Sequence, residues 1–252
     1  MHHSYIDKFS RQQSPIHNLD ARVKLAAIIA YSVVLISFGR YEIAPLIPMT
    51  ILPFGMLWIG GVPIWFAIRR VILLSPFILM LALMSVFYDR QPHSLSIAGW
   101  SFTLSGGVLT AISIAIKFSL GLLTLTAMTC TTQFSLLLEG MGSMAVPRML
   151  IMELSLIYRY IFVLIDEAMR LRRARDFRGA ALAGFSRKIS AAGNIIGMLF
   201  LRTLDRSSRI GTAMQARGFR GRQRNLVRLK LGRADLVFGV AVVIYLFICR
   251  FM

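Results

Sequence analysis

The sequence predicts an all-α integral membrane protein with about five transmembrane helices and a cytoplasmic pair of long helices. Three observations predict this. Hydrophobic residues make up 56% of the 252-residue chain, where a soluble domain would hold roughly 45–50%. Several apolar runs approach the roughly 20 residues that cross a bilayer as a helix. A strongly basic stretch set between such runs keeps its own apolar residues at helical spacing.

Residues 1–20 are polar, with Ser14-Pro15 reading as a turn and Asp20 placed to cap the helix that follows. This opening is not expected to be a signal peptide, because residues 1–24 lack an apolar core behind a basic start. The first span is 23–38, with Arg22 and Lys24 at its mouth. The second, 43–59, carries Pro45, Pro48 and Pro53. Membrane helices tolerate proline where neighbours satisfy the freed carbonyls, so a kinked or partly broken helix is expected. Arg69-Arg70 precedes the third span, 71–88. A polar stretch, 89–105, leads to the fourth, 106–129, which contains Lys117. A lysine facing lipid is costly. Lys117 therefore faces a partner or a cavity, or else marks a span shifted by a few residues. The last span is 236–251. The predicted domains are 1–130 (the N-terminal cytoplasmic segment and four spans), 131–230 (cytoplasmic) and 231–252 (the final span).

Basic residues set the orientation. With the N-terminus in the cytoplasm, Arg22, Lys24, Arg69, Arg70 and all of 131–230 fall inside, and only Arg40, Arg90 and Arg250 fall outside. Five spans then leave the C-terminus outside. The formal net charge is +18, and residues 170–230 hold sixteen Lys or Arg against two acids, Asp176 and Asp205. Anionic lipid and nucleic acid both attract such charge. No nucleic-acid-binding motif is recognisable here, so nucleic acid is not an expected partner.

The basic region is helical rather than disordered. Leu150, Leu154, Ile157, Ile161, Leu164, Ala168 and Leu171 recur in steps of four and three, which draws a seam along one helix. Pro147 suits its first turn. Run to about Phe177, this helix is on the order of 45 Å long. Ile189, Gly193, Ile196, Phe200, Thr203, Ser207, Ile210 and Met214 draw a second seam, with Gly179 and Gly184 at the join and Gly218 at the end. Matching seams predict that the two helices pack on each other or on the spans. Arg159, Asp166, Arg170 and Arg173 share a face of the first helix, and Arg202, Arg206 and Arg209 share one on the second. Arg202 and Arg206 repel at their four-residue spacing; Asp205 beside Arg209 offsets part of this. An acidic partner relieves such crowding, and a solvated face obeying the positive-inside bias also accounts for it.

Two similar tripeptides, Ala174-Arg175-Asp176 and Ala216-Arg217-Gly218, fall near the ends of these helices. A helix dipole favours Arg at that end, which is a purely structural explanation. Equivalent places on two similar helices also suit two equivalent docking pockets, as a symmetric dimer presents. An Arg fills such a pocket and bonds a carboxylate through both arms of its fork.

The segment from Ser14 to Lys24, the Tyr158-Arg159-Tyr160-Ile161-Phe162-Val163-Leu164 run with Asp166-Glu167, Ala174-Arg175, Leu201-Arg202, Asp205-Arg206 and the stretch from Ala213 to Gly221 together carry a resemblance. The chain resembles the transmembrane T component of energy-coupling factor transporters, of the cobalt type called CbiQ. The likeness covers most of the chain and is densest over 131–221. It implies two long coupling helices whose terminal arginines, here Arg175 and Arg217 within Ala174-Arg175-Asp176 and Ala216-Arg217-Gly218, dock into an ATPase dimer. It further implies a non-enzymatic subunit of a cobalt or nickel importer in the bacterial inner membrane. Its partners would be two cytoplasmic ABC ATPase subunits, a substrate-binding membrane subunit of cobalt type and a small accessory membrane subunit. The first signature departs from the family pattern: Asp176 stands where a small residue is usual, able to weaken docking or to pair with Arg172.

The residues agree on one further point. No Gly-x-x-x-x-Gly-Lys loop is present, so ATP hydrolysis is expected in a partner and no catalytic or cofactor-binding residue is expected here. Cys130 and Cys249 suggest neither a disulfide framework nor metal-ligand spacing. Met1-His2-His3 has the nitrogen donors of a nickel or copper site, but a loose terminus explains it better, and His17 and His93 fall on opposite sides of the membrane. No metal site is expected. The alternative function is a membrane-bound enzyme acting on lipid or isoprenoid. Such enzymes cluster Asp, Glu or His around a metal or general base, whereas Glu139, Glu153, Asp166, Glu167, Asp176 and Asp205 are dispersed or sit beside arginines.

Overall fold

The structure, a computed structural model, describes residues 9–10, 12, 14–88, 92–97, 100–144, 146–177, 184–219 and 231–251. The all-α prediction holds, with a short hairpin and one short helix, Phe134–Ser143, added. Helices α1 (Ala21–Ser37), α2 (Leu46–Met49), α3 (Ile51–Ile59) and α4 (Ile64–Tyr88) precede a short antiparallel hairpin of β1 (Pro92–Ile97) and β2 (Trp100–Ser105). Then come α5 (Gly106–Thr131), α6 (Phe134–Ser143), α7 (Arg148–Phe177), α8 (Phe185–Ala216) and α9 (Arg233–Phe251). The hairpin, with Pro92 opposite Ser105, occupies the polar stretch expected to be a plain connection. The chain divides into two compact units, Met1–Met144 with Val227–Met252, and Ala145–Leu226.

In the first unit, α4, α5 and α9 are long and apolar enough to cross a membrane. The other two expected spans correspond to α1, 17 residues long, and to the shorter apolar stretch Leu46–Ile59. Helix α4 starts earlier than expected, so Arg69 and Arg70 lie within it. Arg70 reaches Thr129 Oγ1 (3.5 Å), and its guanidinium stands 4.8 Å from the Phe66 ring centre. Long basic side chains can leave an apolar helix this way while their heads stay polar.

The proline-rich second span is broken, as the sequence predicts. Pro53 has no N–H to give to the Met49 carbonyl four residues back. The Tyr31 hydroxyl of α1 donates to that oxygen instead, at 2.9 Å. The Tyr245 hydroxyl of α9 donates to Pro48 O, at 2.6 Å. Pro76 inside α4 orphans Ile72 O in the same way, and the hydroxyl of Ser75 takes it at 2.7 Å. Each break is thus repaired by a neighbouring hydroxyl, which an apolar surrounding requires.

Two lysines do similar work at helix ends, where the last carbonyls have no intrahelical partner. Lys24, 1% exposed, donates from Nζ to Thr131 O at 3.1 Å, to Thr132 Oγ1 at 3.4 Å and to His17 O at 3.4 Å, closing the end of α5. Lys117 of α5 donates to Phe38 O (2.8 Å) and Gly39 O (3.0 Å), closing the end of α1. The Lys117 ammonium thus faces carbonyls, on a helix that begins where the fourth span was expected to begin. Asp20 caps α1 as predicted, accepting from the Arg22 N–H at 2.9 Å. Asp235 ties this end to α9. One of its oxygens accepts from the Asp20 N–H (2.6 Å) and the other from the Gly232 N–H (2.7 Å) ahead of α9. Nearby on α6, burial pushes the Glu139 carboxyl up from its ordinary value, opposed by Arg22. Around these contacts two apolar cores form. One gathers Ile28, Leu57, Ala67 and Ala127, the other Tyr31, Leu46, Met49 and Leu246.

The second unit is built on α7 and α8, of 30 and 32 residues, with bounds close to those read from the sequence. Their seams are covered less than expected. Ile157 is 60% exposed and Ile196 68%. The helices meet over one short stretch, where Val163, Leu164 and Glu167 face Arg202, Thr203 and Arg206, so of the seam residues Leu164 and Thr203 come together there. There Arg202 pairs with Glu167, and Arg209 pairs with Asp205 at 3.0 Å. The seams fail to mate along their length because the contact is local.

Candidate functional site

Both arginine-bearing tripeptides lie at the ends of their helices, and the two ends are built differently. Ala174, Arg175 and Asp176 form part of the last turn of α7, which runs to Phe177. Arg175 donates from Nε and Nη2 to the same Asp176 oxygen, at 3.0 and 2.8 Å. Asp176 therefore pairs with Arg175 itself rather than with Arg172. The adjacent pair is partly exposed, so it contributes little to stability, but it occupies two donors of the guanidinium.

At the other end, Ala216 closes α8, Arg217 is the cap residue and Gly218 takes φ +76°. The Gly218 N–H donates to Gln215 O at 2.9 Å and the Phe219 N–H to Met214 O at 3.0 Å. This crossed pair of bonds is a Schellman ending, which satisfies two otherwise orphaned carbonyls and demands a left-handed residue after the cap. Glycine is the residue that adopts that conformation without a Cβ clash. The Ala-Arg-Gly order thus has a local cause: the glycine turns the chain off the helix axis and leaves Arg217 at the rim. Arg217 is exposed, and among the described residues its guanidinium has no carboxylate partner. The six predicted docking residues consequently form two separate helix ends, one cation half-neutralised by its neighbour and one open.

Other polar clusters are accounted for by the fold. His17 bonds Ser14 Oγ (2.7 Å) and Phe9 O (3.0 Å), holding the turn before α1. Among the described residues no three His, Cys, Asp or Glu side chains are grouped to hold a metal ion; Met1-His2-His3 lies outside the described residues. The importance of Lys24 and Asp235 was missed in the sequence. Two signals were available: Asp20 and Lys24 stand four apart on one helix face, and Asp235 holds the acid position of a capping box after Gly232.

Residues 12–228 match the CbiQ family, described as cobalt transport protein. The energy-coupling factor transporter transmembrane protein EcfT of Leuconostoc gelidum subsp. gasicomitatum is 24% identical, over 99% of this chain and 98% of that protein. Its namesake in Bacillus selenitireducens is 26% identical, over 86% and 84%. An uncharacterised protein of Methanocaldococcus jannaschii is 22% identical, over 93% and 81%. Given a family match that runs from the turn before α1 past the end of α8, the chain belongs to the CbiQ cobalt transport protein family and is related over nearly its whole length to transmembrane components of energy-coupling factor transporters.

Proposed function

We propose that this chain is the coupling subunit of an energy-coupling factor importer for cobalt or nickel ions. Arg175 and Arg217, with Ala174, Asp176, Ala216 and Gly218, dock onto two cytoplasmic ABC ATPase subunits. Closure of the ATPase pair on ATP then moves α7 and α8. The motion passes to a separate substrate-binding membrane subunit, with a small accessory membrane subunit alongside. ATP hydrolysis resides in the ATPases and the ion is held elsewhere. The chain sits in the bacterial inner membrane with its N-terminus and residues 131–230 in the cytoplasm.

One observation carries this reading: two helices of 30 and 32 residues each end at an Ala-Arg pair, in a chain that matches a transport family. Open or half-open guanidiniums at the tips of long levers suit an acidic groove on each of two similar partners. The test is co-purification. The double variant Arg175→Glu/Arg217→Glu should insert in the membrane normally and lose the ATPases. Retention at the level of the unsubstituted chain would refute the docking role. Cobalt or nickel uptake by cells carrying the whole transporter, measured with either ion, assigns the cargo.

A further inference from the structure

The two tips share more than an Ala-Arg pair. The chain reads Ala-Arg-Asp-Phe from Ala174 and Ala-Arg-Gly-Phe from Ala216, so a phenylalanine stands two residues after each arginine. Phe177 closes α7 with 91% of its surface exposed, the largest value among the described large apolar residues. Helix α7, unlike α4, is not among the described helices long and apolar enough to cross a membrane. A single exposed apolar residue is ordinary. A phenylalanine at the same offset from an arginine on a second helix end, exposed at Phe177 and half-buried at Phe219, is not.

We propose that Phe177 and Phe219 are the apolar anchors of the two docking contacts. Each fills a hydrophobic pocket next to the carboxylate that receives Arg175 or Arg217 on an ATPase subunit. This rests on the docking function proposed for the arginines and adds the chemistry of the socket: an acid beside an apolar recess, presented twice. The physical case is that an aromatic group seated beside an ion pair excludes water and lowers the local dielectric, strengthening the pair. Aromatic and arginine side chains together form the typical centre of a protein interface. At the first tip Asp176 already takes two donors of Arg175, so that contact leans more on its aromatic. Phe219 is half-buried after the Schellman turn, a position where an apolar residue often packs back on its helix. Phe177 has no such role and is the deciding position.

The test uses the full chain co-expressed in membranes with its ATPase subunits. Phe177→Ala/Phe219→Ala should lower ATPase retention about tenfold or more. Phe177→Leu/Phe219→Leu should keep most of it, because the pocket requires apolar volume. Circular dichroism of the alanine variant should match the unsubstituted chain. With Phe177→p-benzoylphenylalanine, illumination should attach an ATPase subunit. Full retention in the alanine variant, while Arg175→Glu/Arg217→Glu loses the ATPases, overturns the anchor and leaves the docking function standing. Full retention in the arginine variant removes both. Cross-linking only to lipid or to another membrane subunit also overturns the anchor.

Discussion

Individual side chains in this protein divide into those that complete the fold and those held out from it. Lys24 belongs to the first kind. Its ammonium meets a carbonyl and a hydroxyl at the end of α5 and the His17 carbonyl in the turn before α1, so Lys24→Met strands these acceptors in a buried setting. We expect a loss of about 3 kcal/mol, read as a lower midpoint of thermal denaturation in detergent, with no such loss for Arg69→Met on the exposed face of α4. Arg217 belongs to the second kind. Because Arg175 shares its charge with Asp176 and Arg217 shares with no described carboxylate, Arg217→Glu should weaken ATPase retention more than Arg175→Glu; equal losses would contradict the asymmetry. The tripeptides were legible because they repeat. The Arg175–Asp176 pairing was not, since Arg172, one helical turn back, is also within reach and only side-chain rotamers decide between them.

At the scale of elements, helix ends and breaks were read more accurately than helix contacts. Prolines and glycines act on their own backbone, so Pro53 and Gly218 announce a broken span and a terminated helix without knowledge of neighbours. What repairs the break comes from afar: Tyr31 and Tyr245 are distant in sequence from Met49 and Pro48, and nothing local pairs them. Tyr31→Phe leaves Met49 O unsatisfied and should cost about 1–3 kcal/mol, measured by unfolding of the detergent-solubilised chain. Gly218→Ala forces a side chain into the left-handed region at about 1 kcal/mol. It should weaken ATPase retention several-fold while helicity by circular dichroism stays constant. The seams on α7 and α8 were real as patterns, yet Ile157 and Ile196 remain largely uncovered. Periodicity defines a face without naming what lies against it.

For the whole molecule, composition and charge sufficed to place the chain in a membrane, and the hairpin between α4 and α5 was the main architectural surprise. Pairing of Pro92–Ile97 with Trp100–Ser105 was hidden because a short polar connection reads alike whether or not its backbone pairs. Charge at the tips sets an expectation for the assembly. Raising the salt from about 0.1 to about 1 M shortens the screening length from about 10 to about 3 Å, which should release ATPases from the unsubstituted chain, and more readily from the Phe177→Ala/Phe219→Ala variant. Undiminished retention at high salt would mean that charge does not hold the complex. The exchange of lysines between α1 and α5 has a mechanical consequence. Each rod ends in a clasp supplied by the other, so sliding either by one turn, about 5.4 Å, would unfasten both at once. That pair resists shear as a single strut, and force reaching it is passed on undivided.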